Sequence, residues 1–286
     1  MHEKVRIADI IDINKFDTRD LGTYSLQAHF DFVLIDENQL AVVAIEFDGA
    51  GHDPTNDGKK DSICQKAELP LIRIYGFEEV RKIKAMTLVS YLVELVFHAR
   101  VFLQMKEEGE IPSDEPFVLS GFLKPDAKHI FDSEFDFVGN TNGKLTRALQ
   151  RGGLAADELP HMSISRLMLQ APDGRLHAFT SINSSNGPIV GSASLRVILA
   201  SRGFLNNLWT VTAEIAQFAA GMAADNLLEN IRLIVEGHGH VVTSADDVLA
   251  ELKTLGSLGY SLVVGFGGGH TSLDLFAAFA AGKGGK

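Results

Sequence analysis

The sequence predicts an α/β fold in two parts: a mixed β-sheet core flanked by helices over residues 1–110, and a second α+β domain, its fold unspecified by the pattern, over residues 111–286. Three observations predict it. Two β-rich runs, VLI at 33–35 and AVVAIEF at 41–47, are separated by the turn formers Asp36, Glu37, Asn38 and Gln39, the pattern of a hairpin. A helix-forming stretch, KKDSICQKAE, then leads to the short continuous apolar run LPLIRIY, which reads as a buried strand. After a long helical pattern, the charged segment EEGEIPSDEP with its two prolines makes the best domain boundary in the chain.

Taken in order, residues 4–13 alternate imperfectly and read as a strand, or a strand and a turn. KFDTRDLGTYS follows as a polar connection, with Asp17 and Asp20 as turn formers. With the hairpin centred between Asn38 and Gln39, Asp31 falls directly opposite Glu46, and Asp48 points to the same face as Glu46. Three carboxylates then lie within one or two strand spacings. Charges in apolar strands are costly unless paired or bound to a cation, and like charges raise one another's pKa. A hard divalent ion such as Mg²⁺, held by carboxylates and water, relieves both.

DGAGHDPTNDG is rich in turn residues and must be a loop. His52 within it either positions a water, acts as a general acid or caps a turn. In the helix over 58–68, Asp57, Lys60, Asp61 and Cys64 share one face, so Lys60 either leans towards the carboxylates or faces solvent beside Asp57 and Asp61. Residues 77–108 carry Leu88, Tyr91, Leu92, Leu95, Val96, Ala99 and Phe102 at helical spacing, with His98 as an ordinary helix residue. In the second half, PFVLSGFL, FDFVG, SISRLMLQ, LHAFTSI and GPIVGSASLRVIL suggest short strands, with APDGR as a hairpin turn. Residues 208–235 and 244–255 are helical, the latter opened by Ser244 with Asp247 three residues on. Near the C-terminus, YSLVV, GFGGGH and TSLDLFAAFAA read as strand, glycine loop and helix; the loop around Gly267 and Gly268 either makes a tight turn or cradles a phosphate. His238 and His240 are a weak metal motif without further ligands beside them.

The charge balance narrows the partners. Net charge is −11, and the first 114 residues, with 13 basic and 21 acidic groups, carry −8 of it. Broad nucleic-acid binding is therefore disfavoured, and any such contact needs a local basic patch or a partner. The apolar runs fall short of a membrane span, MHEKVRIADI lacks a secretory pattern, and the lone Cys64 fits a reducing, cytoplasmic location.

The pattern resembles the PD-(D/E)xK nuclease superfamily, in particular a DUF2726-like branch related to very-short-patch-repair and restriction endonucleases. The resemblance is carried by Asp31 in HFDFVL, Glu46 and Asp48 in IEFDG, His52, then Asp57, Lys60 and Asp61 in DGKKD, and Pro70 with Arg73 in ELPLIRI, over roughly residues 4–75. It implies a restriction-endonuclease-like core in which Asp31, Glu46 and Asp48 hold Mg²⁺ or Mn²⁺, Lys60 stabilises developing charge and His52 assists. Arg73, Arg81, Lys82 and Lys84 either form the local basic patch that nucleic acid, DNA favoured, would need or an ordinary solvated surface, with a protein partner or a second copy as further company. Two departures stand out: the superfamily's lysine two residues after the glutamate is replaced by Asp48, and the helix that normally precedes the first strand has almost no room. The expectation is a metal-dependent phosphodiesterase serving restriction, anti-phage defence or repair. Alternatives are a catalytically inactive nuclease-fold module used for binding or assembly, or a different metal- or nucleotide-dependent enzyme centred on the C-terminal half, with the N-terminal domain as accessory.

Overall fold

A computed structural model describes residues 2–16, 18–49, 53–76, 85–119, 139–156, 164–238, 244–266 and 274–283. The chain is mixed α/β, as expected. It divides into two compact units: Met1–Phe117 with Arg196–Val211, and Val118–Leu195 with Thr212–Lys286. The first crossing falls close to the expected boundary, but the chain returns to the first unit for sixteen residues, so the division is discontinuous.

The first unit contains β1 (His2–Arg6), α1 (Arg19–Ser25), β2 (His29–Ile35), β3 (Ala41–Asp48), α2 (Pro54–Lys66), β4 (Leu71–Tyr75) and α3 (Ala85–Glu107). The end of β7 (Gly187–Ser201) completes its sheet, in the order β1-β2-β3-β4-β7. β3 and β4 are parallel, joined by the α2 crossover that such pairing requires; the other neighbours are antiparallel. β3 lies between two strands and is buried from Val42 to Glu46, which explains its continuous apolar run. Ala44 and Leu71 of the sheet pack with Ile63 and Cys64 of α2, and with Ile7, Phe30 and Val33, into one core.

Two elements differ from the reading. The polar connection after β1 folds as α1, whose Leu21 and Tyr24 pack against the core; two apolar side chains in two turns are too few to announce a helix. Helix α2 begins at Pro54, four residues earlier than expected. Asp53 caps it, accepting the Thr55 N–H at 3.0 Å, and Pro54 occupies the first turn. The Asp-Pro pair that reads as loop punctuation is a helix start. In α3, Leu88, Tyr91, Leu92, Leu95, Val96 and Ala99 are buried as expected. Counter to expectation, its stretch Leu88–Glu107 is by length and composition apolar enough to cross a membrane; Glu94 and Arg100 interrupt it, and the buried stripe is that of a core helix.

In the second unit, β5 (Ser165–Gln170), β6 (Leu176–Ser184), the first part of β7 and β8 (Ser261–Phe266) form an antiparallel sheet ordered β7-β6-β5-β8. α4 (Gly139–Arg151) and α5 (Val211–Val235) cover one face through Leu145, Leu149, Leu227 and Ile231 against Ile182 and Ile189. α6 (Ala245–Ser257) and α7 (Leu275–Lys283) cover the other through Leu252, Leu255 and Phe279 against Leu167 and Phe179. Ser244 caps α6 as read, accepting the Asp247 N–H at 3.1 Å. Helix α4 was not foreseen. Gly191 lets α5 lie directly on β7, since a Cβ there would sit 2.3 Å from the Ala223 carbonyl and the Leu227 nitrogen. Asp17, His52, Arg81, Lys82, Lys84, His240, Gly267, Gly268, His270, residues 120–123 of PFVLSGFL and residues 135–138 of FDFVG lie outside the described residues; residues 116–119, read as the start of a strand, are irregular.

Burial pushes the carboxyl of Glu214 in α5 from its ordinary 4.5 up to about 7, the Leu119 N–H opposing it only in part. The folded state thus favours the protonated acid. Folding is unburdened by this group below pH 4.5, and stability falls as pH rises from there to about 7. Denaturant melts across pH 4 to 8 should show a decline that Glu214→Gln flattens; an unchanged slope in that variant would assign the decline elsewhere.

Candidate active site

Strand register places four charged residues in one row across the first sheet. The β2–β3 pairs Phe32↔Ile45 and Val33↔Ala44 share the register that sets Asp31 opposite Glu46, as the hairpin arithmetic expects. On one side, Glu3↔Phe32 and Val5↔Phe30 bracket Lys4 and Asp31. On the other, Glu46 pairs with Arg73 of β4. Lys4, Asp31, Glu46 and Arg73 therefore lie side by side on β1, β2, β3 and β4.

The two central carboxylates are locked by direct bonds. Glu46 Oε1 accepts the Asp31 N–H at 3.2 Å, and Asp31 Oδ2 accepts the Phe47 N–H at 2.9 Å. Lys60, reaching down from α2, donates to Glu46 Oε2 at 2.6 Å, which settles the sequence alternative: it leans onto the carboxylates. Lys4 donates to Asp31 Oδ1. Burial works to raise the Asp31 carboxyl, but the bonds from Lys4 and Phe47 and the lysine charges outweigh it and hold the group below its ordinary value. Glu46 ends above its ordinary value, because it is only 1% exposed and the pairing with Lys60 offsets that burial incompletely.

Arg73 corrects one expectation. Placed by sequence in a surface patch, it is 1% exposed and surrounded by carboxylates. Nη1 donates to both oxygens of Asp48, at 3.1 and 3.0 Å, and to Asp57 Oδ1 at 3.1 Å. Nε and Nη2 reach Asp61 Oδ1 at 3.0 and 2.8 Å, and Nη2 also reaches the Asp57 carbonyl at 3.1 Å. Such a guanidinium has no donor left for a phosphate. Burial opposes its charge, but the bonds to Asp61 and Asp48 overcome that and raise its pKa further. Since Asp57 and Asp61 are one turn apart on α2, Arg73 staples the helix to the sheet with Lys60 aimed at Glu46.

The same geometry turns Asp48, expected as a third metal ligand, away from that role: both its oxygens face Arg73, and the Tyr75 phenol, driven up to about 12 by burial and by Asp48, bonds to it as well. Among the described residues no group of three or more His, Cys, Asp and Glu side chains gathers as a metal site. Asp31 and Glu46 still fit a hard cation, since Mg²⁺ takes one or two carboxylates and fills its shell with water. Asp31 is paired with Lys4 and Glu46 with Lys60, while Asp48, Asp57 and Asp61 are paired with Arg73.

Beside Lys60 opens a cleft of about 560 Å³ lined by Tyr24, Gln27, His29, Asn56 and Asp57. Tyr24 braces it, donating to the Asn56 carbonyl at 3.2 Å, with Lys59 over its ring. Asp20 pairs with Lys59 at 3.1 Å and stays outside the row. Lys4 and this cleft were missed by sequence reasoning; a lysine that opens the alternating run 4–13 was the available signal for the first.

Removing Arg73 should be severe. Arg73→Met leaves Asp48 buried against uncompensated charge and should destabilise the fold by roughly 3–5 kcal/mol, while Arg73→Lys keeps the charge but not the fork and should lose less. Urea denaturation followed by circular dichroism measures both; equal and small losses would deny the staple.

Residues 1–87 match the family described as Protein of unknown function (DUF2726), bearing out the DUF2726 resemblance over a segment that holds the whole charge row. No curated protein and no solved structure matches the chain.

Proposed function

We propose that the first unit is a metal-dependent nuclease of restriction-endonuclease-like build, hydrolysing phosphodiester bonds in nucleic acid, DNA favoured, within the cytoplasm. The observation that carries the reading is the cross-strand pair Asp31–Glu46 with Lys60 bonded to it. A Mg²⁺ or Mn²⁺ ion held there would polarise a phosphate and lower the pKa of a bound water. The chain's own residues prepare that chemistry. The Phe47 N–H and the lysines keep Asp31 ionised, Lys60 fixes the rotamer of Glu46 and counters its charge, and Arg73 holds α2 so that this alignment persists. Asp48 serves as Arg73's anchor, one layer behind the ligands. Restriction, anti-phage defence and repair are the settings in which such an activity is useful.

A second reading is favoured by one observation: Asp31 and Glu46 each already hold a lysine. A fold whose acids are neutralised from within suits an inactive module used for binding or assembly.

Cleavage assays on single- and double-stranded DNA and RNA separate the two. Cutting that requires Mg²⁺ or Mn²⁺ and falls to background in Glu46→Gln and Asp31→Asn, both folded by circular dichroism, is the expected result. A folded wild type that neither cuts nor takes up Mn²⁺ would select the inactive module.

A further inference from the structure

Lys4 is held in a backbone conformation that the fold does not require. Its φ is +51°, left-handed, in the middle of β1. Among the described residues the other two non-glycine residues with positive φ have local reasons: Gln39 turns the β2–β3 hairpin and Glu68 ends α2. Lys4 has none, since β1 pairs with β2 in one register on both sides of it, with no bulge to accommodate. Strain of this kind is kept where a side chain must be aimed. Here it is aimed at Asp31, which it meets through an ion pair.

The two lysines of the site differ in what they can reach. Lys60 is 15% exposed and committed to Glu46; Lys4 is 75% exposed, on the outermost strand, beside an Asp31 that is itself 20% exposed. A cation that meets a substrate must face solvent, and a pair so exposed is cheap to exchange for a new anionic partner. With Arg73 buried, Lys4 is the exposed positive charge of the row.

Resting on the nuclease reading, we infer that Lys4 is the substrate-binding cation of this site, exchanging Asp31 for a non-bridging phosphate oxygen of the nucleic-acid backbone.

The test is binding of fluorescein-labelled single-stranded and duplex DNA by full-length protein carrying Glu46→Gln, with Mg²⁺, read by anisotropy over a salt series. Adding Lys4→Met should weaken binding several-fold and reduce the slope of log K against log salt by about one, the mark of one lost phosphate contact. Lys4→Arg should restore the slope. Lys4→Gly, which relieves the backbone, should bind as poorly as Lys4→Met while remaining folded. Parental affinity and slope in Lys4→Met and Lys4→Gly would overturn the inference and leave the nuclease reading standing. A parent that binds neither DNA, together with a wild type that cuts neither, would remove both.

Discussion

The burial of one guanidinium sets the rest of this site. Arg73 occupies the strand position beside Glu46, and it is stable there only because three aspartates and a backbone carbonyl consume its donors. Two of those aspartates belong to α2. The helix is thereby fixed over β3 and β4 by charge as well as by the apolar contacts of Ile63 and Cys64. The reach of Lys60 to Glu46 follows from that fixation. It also relieves an electrostatic conflict, because without Lys60 the buried Glu46 would face Asp31 with no counter-charge of its own.

The site consequently holds two networks. Asp48, Arg73, Asp57 and Asp61 form one that sets position, and Lys4, Asp31, Glu46 and Lys60 form the other; Asp57 of the first and Lys60 of the second line the cleft. The acidic balance of residues 1–114 takes on a different meaning in this light. Part of the excess is structural, compensated by Arg73. Asp31 and Glu46, paired with lysines, are the carboxylates proposed for a cation, although Asp57 and Asp61 keep more of their surface exposed, and the approach of a polyanion depends on exposed bases such as Lys4.

How much of this was legible in the sequence depended on whether the responsible physics is periodic. Strand alternation has a period of two, so counting from the turn placed Asp31 opposite Glu46 and put Asp48 on the same face. Helical spacing likewise grouped Asp57, Lys60 and Asp61, and identified the buried stripe of α3. Position along an element was legible; the partner of a charge was not. Arg73 in LPLIRIY reads equally as a snorkelling surface group or a buried ion, and only the arrival of three carboxylates from elsewhere decides it. The left-handed backbone at Lys4 leaves no trace in residue type, since lysine is a poor choice for it. The fifteen residues of β7 pair first with β6 and then with β4, and a strand pattern carries no mark of where its partner changes.

The fourfold spacing of acids on α2 raises a problem of registration. Asp53, Asp57 and Asp61 are each four residues apart. Were the helix to slide one turn, Asp53 and Asp57 would take the places now held by Asp57 and Asp61, and Arg73 would find nearly the same anionic cage. Asn56, however, would stand where Lys60 stands, and Glu46 would lose its cation. The charge network alone is thus almost degenerate between two alignments. The degeneracy is broken at the helix start, where Asp53 is already engaged by the Thr55 N–H and the Asn56 amide and so is withdrawn from the competition. A capping residue is in this sense the vernier against which the site is aligned.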